Sequence, residues 1–271
     1  MSASSPLLPF SAIVTRLRAA GCVFAEDEAE LILSAAHTPD ELTAMVERRV
    51  AGLPLEHVIG WAEFCGLRIL VDPAVFVPRR RTEFLVRRAA ALAHRAPDAP
   101  QAVVVDLCCG SGALGAALVS ALGRAELHAA DIDPAAVRCA RRNVTAAGGR
   151  VYEGDLYEPL PAALKGRVDV LLANVPYVPT CEIGLLPAEA RVHEARVALD
   201  GGSDGLDVLR RVTATAAQWL APGGHLLFET SERQVPQAVE TVTRDGLRAR
   251  VAVCDELDAT VVIAGRGERR G

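Results

Sequence analysis

The sequence predicts an α/β protein: a mostly parallel, seven-stranded sheet covered by helices on both faces, preceded by a small helical domain. Two observations predict this arrangement. From Ala102 onward, short apolar runs alternate with amphipathic helical patterns, as in strands joined by crossover helices. In the first ninety-odd residues, apolar side chains recur mainly at helical spacing. The chain has 271 residues, 51% of them hydrophobic, which is enough to build both parts.

The N-terminal domain is expected to span residues 1–95. Its first helix is indicated by the spacing of apolar residues from Phe10 to Leu17, with Gly21 as a C-cap. A second helix is predicted over residues 26–36. A third is predicted over residues 38–52, because Thr38 can cap it and Pro39 suits the first helical position.

The two domains are expected to be joined by a β-hairpin, a helix and a linker. Alternating apolar residues around Cys65 and Gly66 predict the hairpin at residues 61–71. Residues 82–94 return to a helical pattern. The Pro-, Ala- and Asp-containing stretch of residues 96–100 is the predicted linker, so the second domain covers residues 96–271.

The second domain is predicted to alternate strands and helices. Strands are expected at residues 103–105, 126–130, near Val151, 168–173, 225–229, 248–253 and 260–264. Helices are expected at residues 113–122, 134–147, 206–220 and 233–246. Pro222, Gly223 and Gly224 are predicted to form a turn.

Composition excludes several classes of protein. A net charge of −5 disfavours binding to nucleic acid by bulk electrostatics. The sequence shows no secretory signal pattern, and no run approaches the roughly 18 apolar residues of a membrane span. The 7 cysteines are scattered without a CxxC pair, and the histidines lack metal-ligand spacing. We therefore expect a soluble cytoplasmic protein with no metal and no membrane partner.

A glycine-rich loop follows the first strand of the predicted sheet and opens a helix. Glycines allow a close backbone approach to a ligand, and a helix N-terminus presents free N–H groups. Ligands of such sheets bind at the carboxyl ends of the strands, although an ordinary strand-to-helix turn has the same composition. The candidate cofactor-binding residues of this loop are Asp106, Cys108, Cys109, Gly110, Ser111 and Gly112.

Acidic residues follow the next two strands. Asp133 is expected to cap a helix, because a proline follows it at the first helical position. That leaves Asp131 to bind the hydroxyls of a ribose, with Ile132 beside it. Asp155 could reach an adenine amino group, and Leu156 could cover the ring. A dinucleotide and S-adenosylmethionine both fit, and the missing third glycine of GxGxxG favours S-adenosylmethionine.

The fourth strand ends in the tetrapeptide Asn174, Val175, Pro176 and Tyr177. It resembles the Asn-Pro-Pro-Tyr signature of methyltransferases that modify a planar NH2 group on glutamine or on nucleobases. An amide nitrogen is a poor nucleophile, so two acceptors are needed to hold its hydrogens in line with the methyl group and to stabilise developing charge. The Asn174 side-chain oxygen and the Val175 carbonyl are the candidates, and Asn174 is also a candidate cofactor-binding residue. Pro176 would stiffen the turn, and Tyr177 would pack on the substrate.

Flanking segments extend this resemblance. They are residues 54–60, 63–64, 76–79, 82–83, Glu194 with 198–206, and Glu229 with Gln234. Together they are similar to the HemK/PrmC family, the protein-(glutamine-N5) methyltransferases that act on peptide chain release factors. The resemblance implies a class I methyltransferase fold (Rossmann-like), conversion of S-adenosylmethionine to S-adenosylhomocysteine, and a protein partner that inserts a glutamine on an extended loop. Residues 178–205 would flank that loop, and no direct contact with nucleic acid is expected.

Two positions depart from the family pattern in the proposed site. Val175 replaces the first proline of the signature, and Cys108 replaces a usual glycine, which suggests a divergent branch. Of three consecutive arginines only Arg79 matches, so Arg80 and Arg81 are expected on a solvated face. Two other functions stay open. One is a nucleobase amino methyltransferase, and the other is a non-catalytic S-adenosylmethionine-binding protein that acts through its N-terminal domain.

Overall fold

A computed structural model of the chain describes residues 8–93 and 100–267. Four helices come first, and they enclose an apolar cluster of their own. They are α1 (Phe10–Ala19), α2 (Ala25–Ala35), α3 (Pro39–Val50) and α4 (Leu55–Ile59). Thr38 caps α3 as predicted, because its Oγ1 accepts the Glu41 N–H at 3.1 Å. The sequence did not predict α4, whose five residues are too few to show a helical period.

A hairpin follows the helices, as predicted. Its strands are β1 (Trp61–Phe64) and β2 (Leu67–Leu70), and they pair antiparallel. Cys65 and Gly66 turn the chain with φ of 51° and 73°, the left-handed geometry that a two-residue hairpin loop requires. Next comes α5 (Glu83–Ala93). The predicted end of this helix at His94 and most of the predicted linker at 96–100 lie outside the described residues.

Seven strands form the large sheet that the sequence predicts. Strands and helices follow in the order β3 (Ala102–Leu107), α6 (Ala113–Leu122), β4 (Ala125–Asp131), α7 (Pro134–Ala146), β5 (Arg150–Glu153), β6 (Val168–Ala173), α8 (Ala188–His193), α9 (Asp207–Trp219), β7 (Leu220–Glu229), α10 (Val235–Arg244), β8 (Arg248–Cys254) and β9 (Ala259–Gly265). The strand order is β5-β4-β3-β6-β7-β9-β8, and only β9 runs antiparallel to its neighbours. Apolar clusters cover both faces of the sheet.

The predicted turn at Pro222, Gly223 and Gly224 is wrong, because these residues lie inside β7. Pairing with β6 shifts here, from Val168 opposite Leu220 to Val170 opposite His225. Proline and glycine in a strand are also typical of a bulge, and Gly223 adopts a φ of 76°. The strand therefore continues through an irregularity, and no turn separates it from α9.

The topology brings the ends of β3, β4 and β6 to one edge of the sheet, since these strands are parallel neighbours. The glycine-rich loop, Asp131 and the tetrapeptide follow these three strands, so they meet at this edge. Among the helices that the structure describes, none is long and apolar enough to cross a membrane.

Candidate active site

A cavity lies at this edge of the sheet, and most of the predicted cofactor-binding residues line it. They are Cys108, Cys109, Gly110, Ser111, Asp131, Ile132, Asp155, Leu156 and Asn174. A second wall consists of Ala74, Val75, Phe76 and Pro78 from the segment before α5, and of Ala195, Val197 and Ala198 from the segment before α9. The latter three belong to residues 178–205, which were expected to flank the substrate, whereas the sequence did not predict that Ala74 and Val75 line the cavity.

Asp106 and Gly112 are not among the cavity-lining residues. They fix the conformation of the glycine-rich loop through contacts on its other side. The buried Asp106 carboxylate accepts the Gly115 N–H at 2.9 Å, and burial raises the pKa of Asp106 to about 8. Gly112 has a φ of 77°, and a Cβ there would lie 2.5 Å from Val144 Cγ2. The first turn of α6 therefore packs closely on α7.

Cys108 occupies a backbone conformation that favours glycine, with a φ of 52°. This is the position at which the sequence departs from the usual glycine of the family. Burial raises the pKa of the Cys108 thiol, and the nearby carboxylates of Asp131 and Asp106 raise it further. A thiol in this environment stays protonated, and Cys108 lines the cavity in that form.

Asp131 connects the two loops beneath the cavity. One carboxylate oxygen accepts the Gly110 N–H at 2.8 Å, and the other accepts the Asp133 N–H at 2.9 Å. Burial raises the pKa of Asp131. Asp133 caps α7 as predicted, because its side chain accepts the Ala135 N–H at 2.8 Å. Asp133 therefore caps the helix, whereas Asp131 binds backbone N–H groups of both loops, and both aspartates line the cavity.

Two apolar side chains and one ion pair complete this side of the cavity. Ile132 is 52% exposed although it is large and apolar, and Leu156 lies near it with a φ of 48°. Such a pair of apolar groups suits a flat aromatic ring. Asp155 forms an ion pair with Arg211 of α9, a residue that the sequence did not single out.

The tetrapeptide follows β6, and its four residues lie in different environments. Asn174 and Pro176 line the cavity, whereas Val175 is buried. Asn174 Oδ1 is buried, and no donor among the described residues reaches it. A buried oxygen without a donor is unfavourable unless a ligand supplies the hydrogen bond. Tyr177 lines a neighbouring cavity instead, with Val178 and other residues of the following segment.

The glycine-containing segment of residues 198–206, before α9, packs against the end of the tetrapeptide. Gly201 N–H donates to the Val178 carbonyl at 2.9 Å. The Gln234 side chain donates to the carbonyl oxygens of Tyr177 and Asp204, each at 2.9 Å. A Cβ on Gly205 would lie 2.2 Å from the Tyr177 carbonyl oxygen, so only glycine fits there. Residues 198–206 and Gln234, which helped to carry the family resemblance, are therefore neighbours of the tetrapeptide in space.

The two segments that form this second wall are held together by a buried carboxylate, that of Glu194. Glu194 Oε1 accepts hydrogen bonds from Arg79 Nη2 at 2.5 Å and from the Val77 N–H at 3.2 Å. Ala195 N–H donates to the Ala74 carbonyl at 3.1 Å. The Arg79 guanidinium also lies 4.9 Å from the centre of the Phe76 ring. These contacts join two segments that are far apart in sequence into one surface.

Arg81 is exposed, as expected, but its guanidinium forms contacts that the sequence did not predict. Its Nε donates to Glu229 Oε1 at 2.8 Å, and its Nη2 donates to the Tyr177 hydroxyl at 2.5 Å. Both partners lie about a hundred residues or more away in the chain, so charge patterning around Arg81 could not reveal them. Arg80 is exposed, as expected.

Comparison with known proteins places the chain in a family. A family model described as "Methyltransferase small domain" matches residues 67–205. A release factor glutamine methyltransferase from Geobacter sulfurreducens is 40% identical over 222 residues, which are 80% of this chain and 73% of that protein. The chain belongs to the release factor glutamine methyltransferase family. Like its family, it is an enzyme, a methyltransferase that uses S-adenosylmethionine.

Two further proteins show the breadth of this similarity. A 4-amino-L-phenylalanine/4-methylamino-L-phenylalanine methyltransferase from Streptomyces pristinaespiralis is 38% identical over 228 residues, which are 82% of this chain and 76% of that protein. The solved structure of a methyltransferase from Pyrococcus furiosus has a TM-score of 0.54 and 15% identity, and the match covers 83% of this chain and 98% of that one. The second comparison shows the fold alone, and it confirms the class I methyltransferase fold.

Within residues 8–93 and 100–267, no three His, Cys, Asp or Glu side chains come together as metal ligands. The 7 cysteines are unpaired. The cavity nevertheless fits S-adenosylmethionine, since it combines a glycine-rich loop, a carboxylate and apolar side chains with the buried Asn174 oxygen.

Proposed function

We propose that this enzyme methylates the side-chain nitrogen (N5) of a glutamine in a protein substrate of the release factor type. The observation that carries the proposal is the buried Asn174 Oδ1, which lines the cavity and lacks a donor among the described residues. A primary amide supplies the N–H that this oxygen needs. The similarity to release factor glutamine methyltransferases supports the same substrate class.

Binding of the methyl donor is assigned to the cavity-lining residues. Asp131 would accept the hydroxyls of its ribose, Ile132 and Leu156 would enclose its adenine, and Asp155 would face the adenine amino group. The backbone of residues 108–112 would surround the remainder. S-adenosylmethionine supplies an electrophilic methyl group on a sulfonium centre.

The chain's own residues then orient the acceptor. Asn174 Oδ1 and the Val175 carbonyl would each accept one hydrogen of the amide, so that the nitrogen lone pair faces the methyl group. Both oxygens would also stabilise the positive charge that develops on nitrogen during transfer. The proton can leave after transfer, so the mechanism needs no general base in the cavity.

The partner would lie along residues 178–205, which follow the tetrapeptide. This segment exposes Leu185, Val192 and Val197, and Leu185 is 82% exposed. Exposed apolar side chains beside a cavity are typical of a surface that a partner covers. An extended loop of the substrate protein would pack on them while its glutamine enters the cavity.

A second candidate acceptor is a free aromatic amine. It is favoured by the relative from Streptomyces pristinaespiralis, whose name describes methylation of 4-amino-L-phenylalanine. An aryl NH2 group is also planar and conjugated, so the same pair of acceptor oxygens would serve it. This candidate differs from the first in needing no protein partner.

The experiment is to incubate the purified enzyme with S-adenosylmethionine labelled in its methyl group and an extract of cells that lack the enzyme. Protein, nucleic acid and small molecules are then separated, digested where needed and examined by mass spectrometry. We expect label in N5-methylglutamine of protein. Label found only in an aromatic amine, or only in nucleobases, would contradict the proposal. Donor binding without any transfer would favour a non-catalytic protein.

A further inference from the structure

The loop at the catalytic tetrapeptide lacks one source of rigidity. Val175 stands where the family signature has its first proline, so no ring restricts its φ. The neighbouring contacts must therefore hold this loop in place. Backbone bonds and the Gln234 side chain hold its end at Tyr177 and Val178. A further set of contacts reaches it through the Tyr177 side chain.

Arg81, Tyr177 and Glu229 form a closed set of hydrogen bonds. The Tyr177 hydroxyl donates to Glu229 Oε1 at 2.8 Å and accepts from Arg81 Nη2 at 2.5 Å. Arg81 Nε donates to the same Glu229 oxygen at 2.8 Å. Burial raises the pKa of Tyr177, and the Glu229 charge raises it further, so the phenol keeps the proton that it donates.

Glu229 is anchored independently of Arg81. It is 3% exposed, and its second oxygen accepts the Thr82 hydroxyl at 2.7 Å. Arg81 is different, because 44% of its side chain is exposed. Its guanidinium pairs with a buried carboxylate, so the pair contributes to the stability of the fold. Its contribution to the site is geometric, because its planar fork fixes both the hydroxyl of Tyr177 and the carboxylate beside it.

We propose that Arg81 is a positioning residue for the acceptor. Through Tyr177 and Glu229 it holds the loop of residues 174–177 in the arrangement that binds the NH2 group, and it replaces the rigidity that a proline at position 175 supplies. The inference rests on the proposed function only in that an acceptor NH2 group binds at Asn174. It holds for a glutamine and for an aromatic amine alike.

The test is a double-mutant cycle between Arg81→Met and Val175→Pro, measured as kcat and KM with the acceptor that the labelling experiment identifies. In the natural background we expect Arg81→Met to lower kcat by about 10- to 100-fold, the size of effect that misplacing a reacting group produces. In the Val175→Pro background the same change is expected to cost less than about threefold, because the proline restores the rigidity. Donor affinity is expected to stay unchanged. The melting temperature is expected to fall, because the buried Glu229 carboxylate loses its ion pair, so kcat is measured at a temperature at which every variant stays folded.

Two variants serve as controls. Arg80→Met removes a neighbouring exposed arginine and is expected to leave kcat unchanged. Arg81→Lys keeps the charge but loses the fork, so we expect it to resemble Arg81→Met. Three outcomes would each overturn the inference. They are an equal loss of kcat from Arg81→Met in both backgrounds, a normal kcat for Arg81→Met, and a fall in donor affinity that accounts for its loss of kcat.

A second cycle covers the case in which the proline variant does not fold. In a Tyr177→Phe background the hydroxyl is already absent, so Arg81→Met is expected to cause little further loss of kcat. A full additional loss would overturn the inference. The proposed function fails if the labelled acceptor is not glutamine. That failure is separate from this inference, because the kcat ratios of the variants can still be measured on the true acceptor. A wild-type protein that transfers methyl to nothing overturns both.

Discussion

Arg49 of α3 and Glu189 of α8 form an ion pair of 2.6 Å, although 140 residues separate them in the chain. Arg49 also binds Glu28 of α2 through two hydrogen bonds, of 2.6 and 3.0 Å. Its guanidinium is buried, so these contacts form away from solvent. The N-terminal helices are thereby attached to the segment that follows the tetrapeptide.

The two carboxylates bound to Arg49 are expected to differ in their contribution to stability. Glu28 is largely buried, so Glu28→Ala leaves a buried guanidinium poorly paired and should lower the free energy of unfolding by about 2–4 kcal/mol. Glu189 is 47% exposed, and Glu189→Ala should cost less than about 1 kcal/mol. Denaturant unfolding of both variants measures the difference. Equal losses would show that burial does not determine the strength of this cluster.

Removal of the buried acceptor should abolish catalysis without loss of the donor. Asn174→Ala is expected to lower kcat by at least about 100-fold, the usual effect of deleting one stabilising hydrogen-bond partner of a transition state. Donor affinity, measured by calorimetry, is expected to change little, because the carboxylate and apolar side chains of the donor site remain. A variant with near-normal turnover would refute the role assigned to Asn174.

Val175→Pro alone should be tolerated. The acceptor at this position is a backbone carbonyl, which proline retains, and its ring makes the loop stiffer. We expect kcat to stay within about threefold of the natural enzyme, or to rise, since preorganised groups lose less on binding. Steady-state kinetics measures this, and a loss of tenfold or more with unchanged folding would contradict the carbonyl argument.

The segment between β6 and α9 should accept a side chain at one glycine and reject it at another. A Cβ on Gly205 would lie 2.2 Å from the Tyr177 carbonyl oxygen, and its φ of 78° is itself unfavourable for alanine. Gly205→Ala should therefore cost about 1–3 kcal/mol of stability and reduce activity. The control is Gly184→Ala, since a Cβ there meets no atom within 4 Å. Similar melting temperatures for both variants would disprove the close contact.

The buried carboxyl of Asp106 should make the enzyme less stable as the pH rises. Its pKa is raised from 3.8 to about 8 by burial, so the folded state keeps a proton that the unfolded state releases. Between about pH 4 and pH 8 this group should reduce the free energy of unfolding by up to about 1.4 kcal/mol per pH unit. Asp106→Asn removes the titration, so its stability relative to the natural enzyme should increase from pH 5 to pH 8. A constant difference would mean that Asp106 is ionised in the fold.

Local patterns predicted much of this structure because the relevant contacts are local. Helix α6 was predicted over the residues that form it, since Gly112 and Gly123 border an unbroken apolar run. The cap that Asp133 forms followed from the proline at the start of α7. The short α4 and the irregularity in β7 were not predicted, because five residues show no period and glycine marks both turns and bulges.

The contacts that the sequence could not predict join distant parts of the chain. Arg81 looks like one of three solvent-facing arginines until the fold brings Glu229 beside it. Ala74 carries no chemical signal at all, and it lines the cavity only because its carbonyl pairs with the backbone after Glu194. Such pairings depend on how the crossovers place each segment, and residue type alone does not encode them.

The two-part wall of the cavity has a consequence for how the enzyme is made. Ala74 leaves the ribosome long before Glu194, since 120 residues (194 minus 74) separate the two halves of the wall. A nascent chain that has already completed β6 therefore contains every residue assigned to the donor, yet its cavity is open on one side. The methyl donor can be enclosed only once translation has passed this point. The same holds for a fragment that starts at β3, which would keep the binding residues and lose the first half of their cover.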